Sequence, residues 1–264
     1  MASWSVMTFN LRVMVESDGE NAWNKRYPAA ARAMEEHGAD FIGTQEARLF
    51  MLEELAALLP GYAWMGQGRR GGHEDEHCAI FYRTDRWELL ESGDFGLSES
   101  PDQLGILSWK TDYPRMCTWA KFRSLQDGTE TAVFNTHLDH ISEEAQVKGM
   151  ELIRERMEEL SRSSAGLPFV LTGDFNVEPD NIVIRGLEAA GYRNAYSILP
   201  AGDTDQVPGM TFHDFQGGER GRPIDYIFSS PDLTVEAVQV DRSYYDGRYP
   251  SDHYPVCAQL KTIR

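Results

Sequence analysis

At 264 residues with 41% hydrophobic content the chain is long enough to bury a large core, and nothing in it looks like a linker, so one domain over residues 1–264 is expected. Its 25 Lys and Arg stand against 42 Asp and Glu, a formal charge of −17, and no basic run exceeds Arg69-Arg70; this demotes extended duplex nucleic acid, whose binding requires a positive surface, in favour of phosphorylated small molecules or short nucleic acids. Cys78, Cys117 and Cys257 form no CxxC pair, and there is neither a charged leader with an apolar core nor a membrane-length apolar run, so the expectation is a cytoplasmic protein with no zinc knuckle, no disulfide framework and no membrane contact.

The chain starts on a strand, Trp4 to Phe9. Pro28 as a first helical residue and Gly38 just past the end predict a helix through Ala30, Ala31 and Met34. The strand Asp40 to Gln45 delivers Glu46, and a helix through Leu52, Leu55 and Leu58 follows. Gln67 to His77 reads as a polar, Gly-rich loop. Cys78–Tyr82 and Trp87–Leu90 read as antiparallel strands across the turn Arg83-Thr84-Asp85-Arg86. Cys117–Phe122 and Thr131–Thr136 form a hairpin through Asp127-Gly128, which delivers His137. The clearest helix runs from Ser142 to Ser161, with Val147, Met150, Ile153, Met157 and Leu160 on one face. A buried strand from Pro168 ends in Gly173-Asp174-Phe175-Asn176, where alternation sends Asp174 and Asn176 the same way. A short helix from Ile182 to Ala190 and strands Ile224–Ser229, Leu233–Val240 and Tyr254–Leu260 complete the chain.

Hairpins mixed with strand-helix units indicate an α/β sandwich and not a purely parallel sheet. Asn10, Glu46, His137, Asp174, Asn176, Asp225 and His253 all fall at or near predicted strand ends, so loops can gather them into one cleft.

Six segments occur in order: Thr8-Phe9-Asn10, Thr44-Gln45-Glu46, Asn135-Thr136-His137-Leu138, Gly173-Asp174-Phe175-Asn176, Ile224-Asp225-Tyr226 and Ser251-Asp252-His253. Together they resemble the endonuclease/exonuclease/phosphatase superfamily, over residues 6–260. The resemblance implies a four-layer α/β sandwich of two packed mixed β-sheets flanked by helices, carrying a divalent-metal phosphoesterase site at one edge. Each segment alone is weak evidence, whereas their order and spacing are specific.

By resemblance, Glu46 is the principal ligand of Mg²⁺ or Mn²⁺, with Asn10 beside it; oxygen donors suit either ion. Taken alone, Glu46 reads more readily as a first-turn helix carboxylate than as a ligand, and only the company of the other segments reverses that. Asp225 and His253 resemble the family's Asp-His pair, in which the carboxylate holds one imidazole nitrogen and raises its proton affinity. Asp252 resembles either a metal-side or a structural carboxylate. Asp174 orients or deprotonates the attacking water, and Asn176 either binds phosphate or fixes Asp174, in one-metal or two-metal schemes. His137 stands where sphingomyelinase-like and 5-phosphatase-like members carry His and abasic-site nucleases carry Tyr, and would stabilise the phosphate or the leaving group.

Arg12 and Arg115 are candidate phosphate ligands, and otherwise surface arginines. His213 is a candidate substrate-facing residue, with an ordinary loop histidine as the even alternative. His73, His77 and Glu74-Asp75-Glu76 match no zinc spacing and read as a solvated loop.

The expected activity is divalent-metal-dependent hydrolysis of phosphate esters, as phosphodiesterase, phosphatase or nuclease. The alternative is a catalytically silent module of the same fold that binds a phospho-ligand. Segments around Asn10–Trp23 and Arg115–Trp119 look nearest to bacterial members related to the deadenylase and nocturnin-like branch, but substrate transfers poorly along such likenesses. No obligate protein partner is implied.

Overall fold

The computed structural model describes residues 3–200 and 207–263. Its strands are β1 (Trp4–Asn10), β2 (Phe41–Gln45), β3 (Tyr62–Met65), β4 (Ile80–Arg83), β5 (Trp87–Gly96), β6 (Met116–Ser124), β7 (Glu130–His137), β8 (Phe169–Asp174), β9 (Arg193–Asn194), β10 (Asp225–Ser229), β11 (Leu233–Val240) and β12 (Val256–Thr262). The helices are α1 (Trp23–His37), α2 (Leu49–Leu58), α3 (Glu143–Ser163) and α4 (Ile182–Ala189).

Two mixed sheets of six strands, ordered β11-β12-β1-β2-β4-β3 and β5-β6-β7-β8-β10-β9, pack face to face with helices outside them. Alternation along the strands explains the layering. On β1, β2 and β4 the residues Val6, Phe41 and Ile80 enter the core between the sheets, while their neighbours Met7, Ile42 and Phe81 pack with Met34 of α1 and Leu52 and Leu55 of α2. Helix α3 is capped by Ser142, whose Oγ accepts from the Ala145 N–H at 3.3 Å, and it buries Met150, Ile153 and Met157. Among the described residues no helix is long and apolar enough to cross a membrane.

Each sheet contains one parallel pair, β1 with β2 and β7 with β8. A parallel pair needs a long crossover, and α1 and α3 lie in these two connections. Between the sheets lies a polar seam. Gln45 Nε2 donates to Asn135 Oδ1 at 2.7 Å and to Thr8 Oγ1 at 3.1 Å, Thr172 Oγ1 donates to Asn135 Oδ1 at 3.0 Å, and Asn135 Nδ2 donates to the carbonyls of Thr44 and Ala79. Leaving such a group unpaired costs about 1–3 kcal/mol, so the seam selects one sheet-to-sheet register.

Two sequence expectations are corrected, and a strand the sequence did not foretell is added. The segments around β4 and β5 are not paired with each other: β4 joins β2 and β3, whereas β5 pairs with β6 in the other sheet. The reason is Trp87, whose ring drops between the sheets 4.7 Å from Phe41 and whose Nε1 donates to Asp40 at 2.8 Å, carrying the chain across. Pro28 does not open α1 but lies inside it, five residues after Trp23. The core packing of Trp23 and Arg26 extends the helix N-terminally at the cost of one backbone bond. Finally, β3 was not anticipated; its residues are only half-buried and show no clean alternation.

Candidate active site

The two parallel pairs end side by side. In register, Asn10 lies opposite Gln45, which precedes Glu46, and His137 lies opposite Asp174; β10 adds Asp225 opposite Asp174. Loops following the carboxyl ends of strands form the usual crevice for ligands in open α/β sheets, and here two such ends share one crevice.

Arg12, Glu46 and Asn176 all adopt left-handed backbone conformations, with φ of 54°, 65° and 53°. For non-glycine residues this costs on the order of 1–3 kcal/mol and persists only where the surroundings hold it. The surroundings do. Glu46 accepts from Asn10 Nδ2 through Oε1 and from the Val13 N–H through Oε2, both at 2.9 Å. Since α2 begins at Leu49, Glu46 is not a first-turn helix carboxylate. Asn176 is beyond β8, so strand alternation does not place it; its N–H donates to Asp174 Oδ1 at 2.9 Å and its Nδ2 donates to the Leu138 carbonyl at 3.1 Å.

Asp174 is the centre of the cluster. Its Oδ2 accepts from Asn10 Nδ2 at 2.9 Å and lies 3.6 Å from His137 Nε2 and 3.8 Å from His253 Nε2. Asp225 Oδ2 holds His253 Nδ1 at 2.9 Å. Asp252 accepts from Ser251 Oγ and lies 3.7 Å from Arg12 Nε, which also pairs with Asp18 at 3.1 Å. Asn10 Oδ1 accepts from the Arg12 N–H, so the amide presents its –NH₂ and not its oxygen to the two carboxylates.

Burial and the Asp225 charge raise the proton affinity of Asp174, with His253 and Asn10 opposing. Burial also lowers the proton affinity of His253, but Asp225, Asp174 and Asp252 outweigh it and leave it raised. His137 is held well below the ordinary imidazole range by burial and by the nearby Arg115, and so is neutral at pH 7. Burial and Glu46 raise the proton affinity of Asp252 against Arg12 and His253.

Among the described residues two groups of side chains have the reach to share an ion: Glu46 with His137 and Asp174, and Asp174 with Asp225 and His253. The donor chemistry fits a divalent cation, because the carboxylates of Glu46, Asp174 and Asp225 supply the oxygen donors a hard ion takes, with an imidazole completing each group.

Glu46 and His137, together with Arg69, Glu76, His77 and Arg115, wall a recess of about 10 Å³, room for roughly one water. Arg115 is buried and not a surface arginine, 3.5 Å from Asp139 and donating to His140 Nδ1 at 2.9 Å. Arg69 pairs through its terminal nitrogens with Glu76 at 2.9 Å and Asp75 at 3.1 Å, while its buried Nε has no hydrogen-bond partner among the described residues. The loop is therefore not simply solvated: His77 is buried, facing His73 across 3.4 Å, and burial raises the Glu76 carboxyl to about 7. His213 is not gathered around Asp174; it stacks on Tyr254 with ring centres 3.9 Å apart. Its neighbour Phe212 is 45% exposed with its ring 5.0 Å from that of His253. Sequence reasoning passed over Arg69 and Phe212 and read Glu76 as part of a solvated loop; the alternation of Phe212 with His213 was the one available signal for Phe212.

A sandwich of two mixed sheets with carboxylates and imidazoles at the ends of its parallel strands defines a class, and the chain belongs to the Endonuclease/Exonuclease/phosphatase family, whose sequence model matches residues 7–253. Among solved structures it is similar to the mannosyl-6-phosphatase of Bacteroides thetaiotaomicron, with 36% identity, a TM-score of 0.89, and coverage of 98% of this chain and 99% of that one. The human nocturnin catalytic domain with bound sulfate anion shares the fold, at 19% identity and a TM-score of 0.78 over 99% of this chain and 95% of that chain. Nocturnin of Drosophila melanogaster is 24% identical over 221 residues, 70% of this chain and 32% of that protein. The chain thus spans about a third to a half of the length of the curated relatives it matches.

Proposed function

We propose that the protein is a divalent-metal-dependent phosphoester hydrolase that removes phosphate from a phosphorylated small molecule, a sugar phosphate being the favoured class. The observation that carries the chemistry is the surrounding of Asp174 Oδ2 by Asn10, His137 and His253 nitrogens, with Glu46 held by the same Asn10 amide. The charge of −17 and the cramped recess beside Glu46 favour a small monoester over a long strand. The 36% identity to a mannosyl-6-phosphatase over nearly the whole of both chains points the same way.

Glu46, with Asp174 and Asp252 near it, would hold Mg²⁺ or Mn²⁺, which supplies positive charge to the nonbridging oxygens of the phosphate. Asp174, with its raised proton affinity, orients the water and accepts its proton as the water oxygen bonds phosphorus and the ester P–O bond breaks, the departing oxygen taking up a proton from solvent. Asn176 fixes Asp174 through its backbone N–H. Asp225 anchors His253 Nδ1, leaving Nε2 to face Asp174 and the phosphate as a charged donor. Neutral His137 donates a hydrogen bond to a phosphate oxygen, and Arg115 grips another. Phe212 offers a flat apolar face to the leaving group.

The test is a panel of phosphomonoesters, phosphodiesters, nucleotides, short RNA and short DNA under Mg²⁺ and Mn²⁺. Sugar monoesters should rank first, and Glu46→Gln and His253→Ala should abolish turnover while leaving the melting temperature near wild type. Full activity in both variants refutes the site, and a preference for nucleic acid refutes the substrate class.

A further inference from the structure

The proposed chemistry makes no use of Arg26, a residue of α1 with no exposed surface. A buried guanidinium is costly unless its donors are satisfied, and here every partner is a backbone carbonyl. Nε donates to Asn21 at 2.8 Å, one terminal nitrogen to Leu11 at 2.6 Å and Pro250 at 3.0 Å, and the other to Arg12 at 2.6 Å. Asp252, Asp18 and Glu46 act on it only through space. The group lies over the Trp23 ring, 5.0 Å from its centre, and 5.7 Å from that of Phe215.

The carbonyls it gathers have a pattern. Leu11 and Arg12 directly follow Asn10, and Pro250 directly precedes Ser251-Asp252-His253. Arg12 is one of the residues held in the left-handed conformation, and its carbonyl takes one of the shortest of these bonds. Ser251 Oγ donates to the Asn10 carbonyl at 2.6 Å, joining the same two segments a second time. Leu11 N–H donates to the Gln45 carbonyl at 3.0 Å, which brings in the residue before Glu46.

We propose that Arg26 is a positioning residue for the centre: its planar fork clamps the exit of β1 to the segment before His253, and so sets the spacing between the Asn10–Glu46 side and the Asp252–His253 side. The inference rests on the hydrolase reading above. The guanidinium lies behind the site and touches no group that would meet substrate, so its loss acts on catalysis and on ion binding more than on substrate affinity. Arginine suits this role because a planar fork spans carbonyls from several segments, which a lysine ammonium cannot do in one geometry.

The experiment compares wild type with Arg26→Lys and Arg26→Met, measuring kcat, KM, melting temperature and Mn²⁺ affinity by calorimetry without substrate. Both variants should lose on the order of tenfold or more in kcat, the scale of a small misplacement of reacting groups. Mn²⁺ binding should weaken, and KM should hold within about threefold of wild type. A folded Arg26→Lys protein with wild-type kcat and wild-type Mn²⁺ affinity overturns the proposal, as does a lowered melting temperature with unchanged kcat per folded molecule. If neither variant folds, Ser251→Ala tests the same junction with little change of volume: kcat should fall at constant KM, and an unaltered kcat refutes the clamp. A wild-type protein that turns over no phosphoester sinks the hydrolase reading instead, and the Mn²⁺ titrations then still decide the fate of the clamp.

Discussion

Asn10 and Asp174, 164 residues apart in sequence and in different sheets, meet through a hydrogen bond of 2.9 Å from Nδ2 to Oδ2. The same nitrogen donates to Glu46 Oε1 at 2.9 Å, so one amide group spaces the two carboxylates on which the proposed chemistry depends. Asn10→Ala should therefore reduce kcat by about 10²-fold, the effect of reacting groups losing their alignment, with little change in melting temperature. Steady-state kinetics at saturating Mg²⁺ decide this; a wild-type kcat would show that the spacing is irrelevant.

Arg115 lines the recess beside Glu46 and His137, and its ties to Asp139 and His140 leave it able to meet an anion. Arg115→Gln should raise KM for a phosphomonoester about tenfold, equivalent to roughly 1.4 kcal/mol, with a smaller effect on kcat. An unchanged KM over a full substrate titration would remove Arg115 from the phosphate grip.

His213 stacks on Tyr254, accepts from the Gly217 N–H, and is pushed down to about 4 by burial, with His253 and Arg242 adding to the effect. A histidine depressed on folding binds its proton more readily in the unfolded chain. Its contribution to stability is accordingly complete above pH 6.5 and is lost as the pH falls from there through about 4. The melting temperature should drop between pH 7 and pH 4.5 in the wild type and drop less in His213→Gln. Equal drops in thermal melts at the two pH values would contradict the assignment.

Gly43 lies on β2 where the sheets approach most tightly: a Cβ there would overlap Thr172 Oγ1 and come within 2.5 Å of Asn135 Oδ1. Both atoms belong to the polar seam, which has no room to yield. Gly43→Ala should destabilise the protein by about 1–3 kcal/mol, as overpacking in tight cores does, and shift the denaturant midpoint accordingly. A midpoint within error of wild type would mean that the seam is loose.

Much of the site is legible in the sequence because strand ends are legible. A run of β-branched and aromatic residues that stops at Gly173-Asp174, or at Thr44-Gln45-Glu46, marks where a backbone leaves a sheet and a polar side chain reaches a loop. The six ordered segments then identify the family, and the hairpin of β6 and β7 and the helix α3 follow from turn chemistry and periodicity. Part of three of these segments serves another purpose than chemistry: Gln45 and Asn135 stitch the two sheets together and Thr8 holds Gln45 in place, which their motif positions do not reveal.

Periodicity reports which side of a segment is apolar, and nothing in it says which segment lies opposite. For that reason the sequence by itself determined most of the elements, the family and the polar residues at strand ends, whereas β3 went unread and β4 and β5 looked like partners until Trp87, sunk between the sheets, parted them. The tertiary structure alone set Phe212 and not His213 against the His253 ring, tied the Asn176 backbone N–H to Asp174, and let Arg26 bridge segments more than 200 residues apart. These outcomes depend on packing and hydrogen bonding between distant parts of the chain, which exist only once the two sheets have closed on each other.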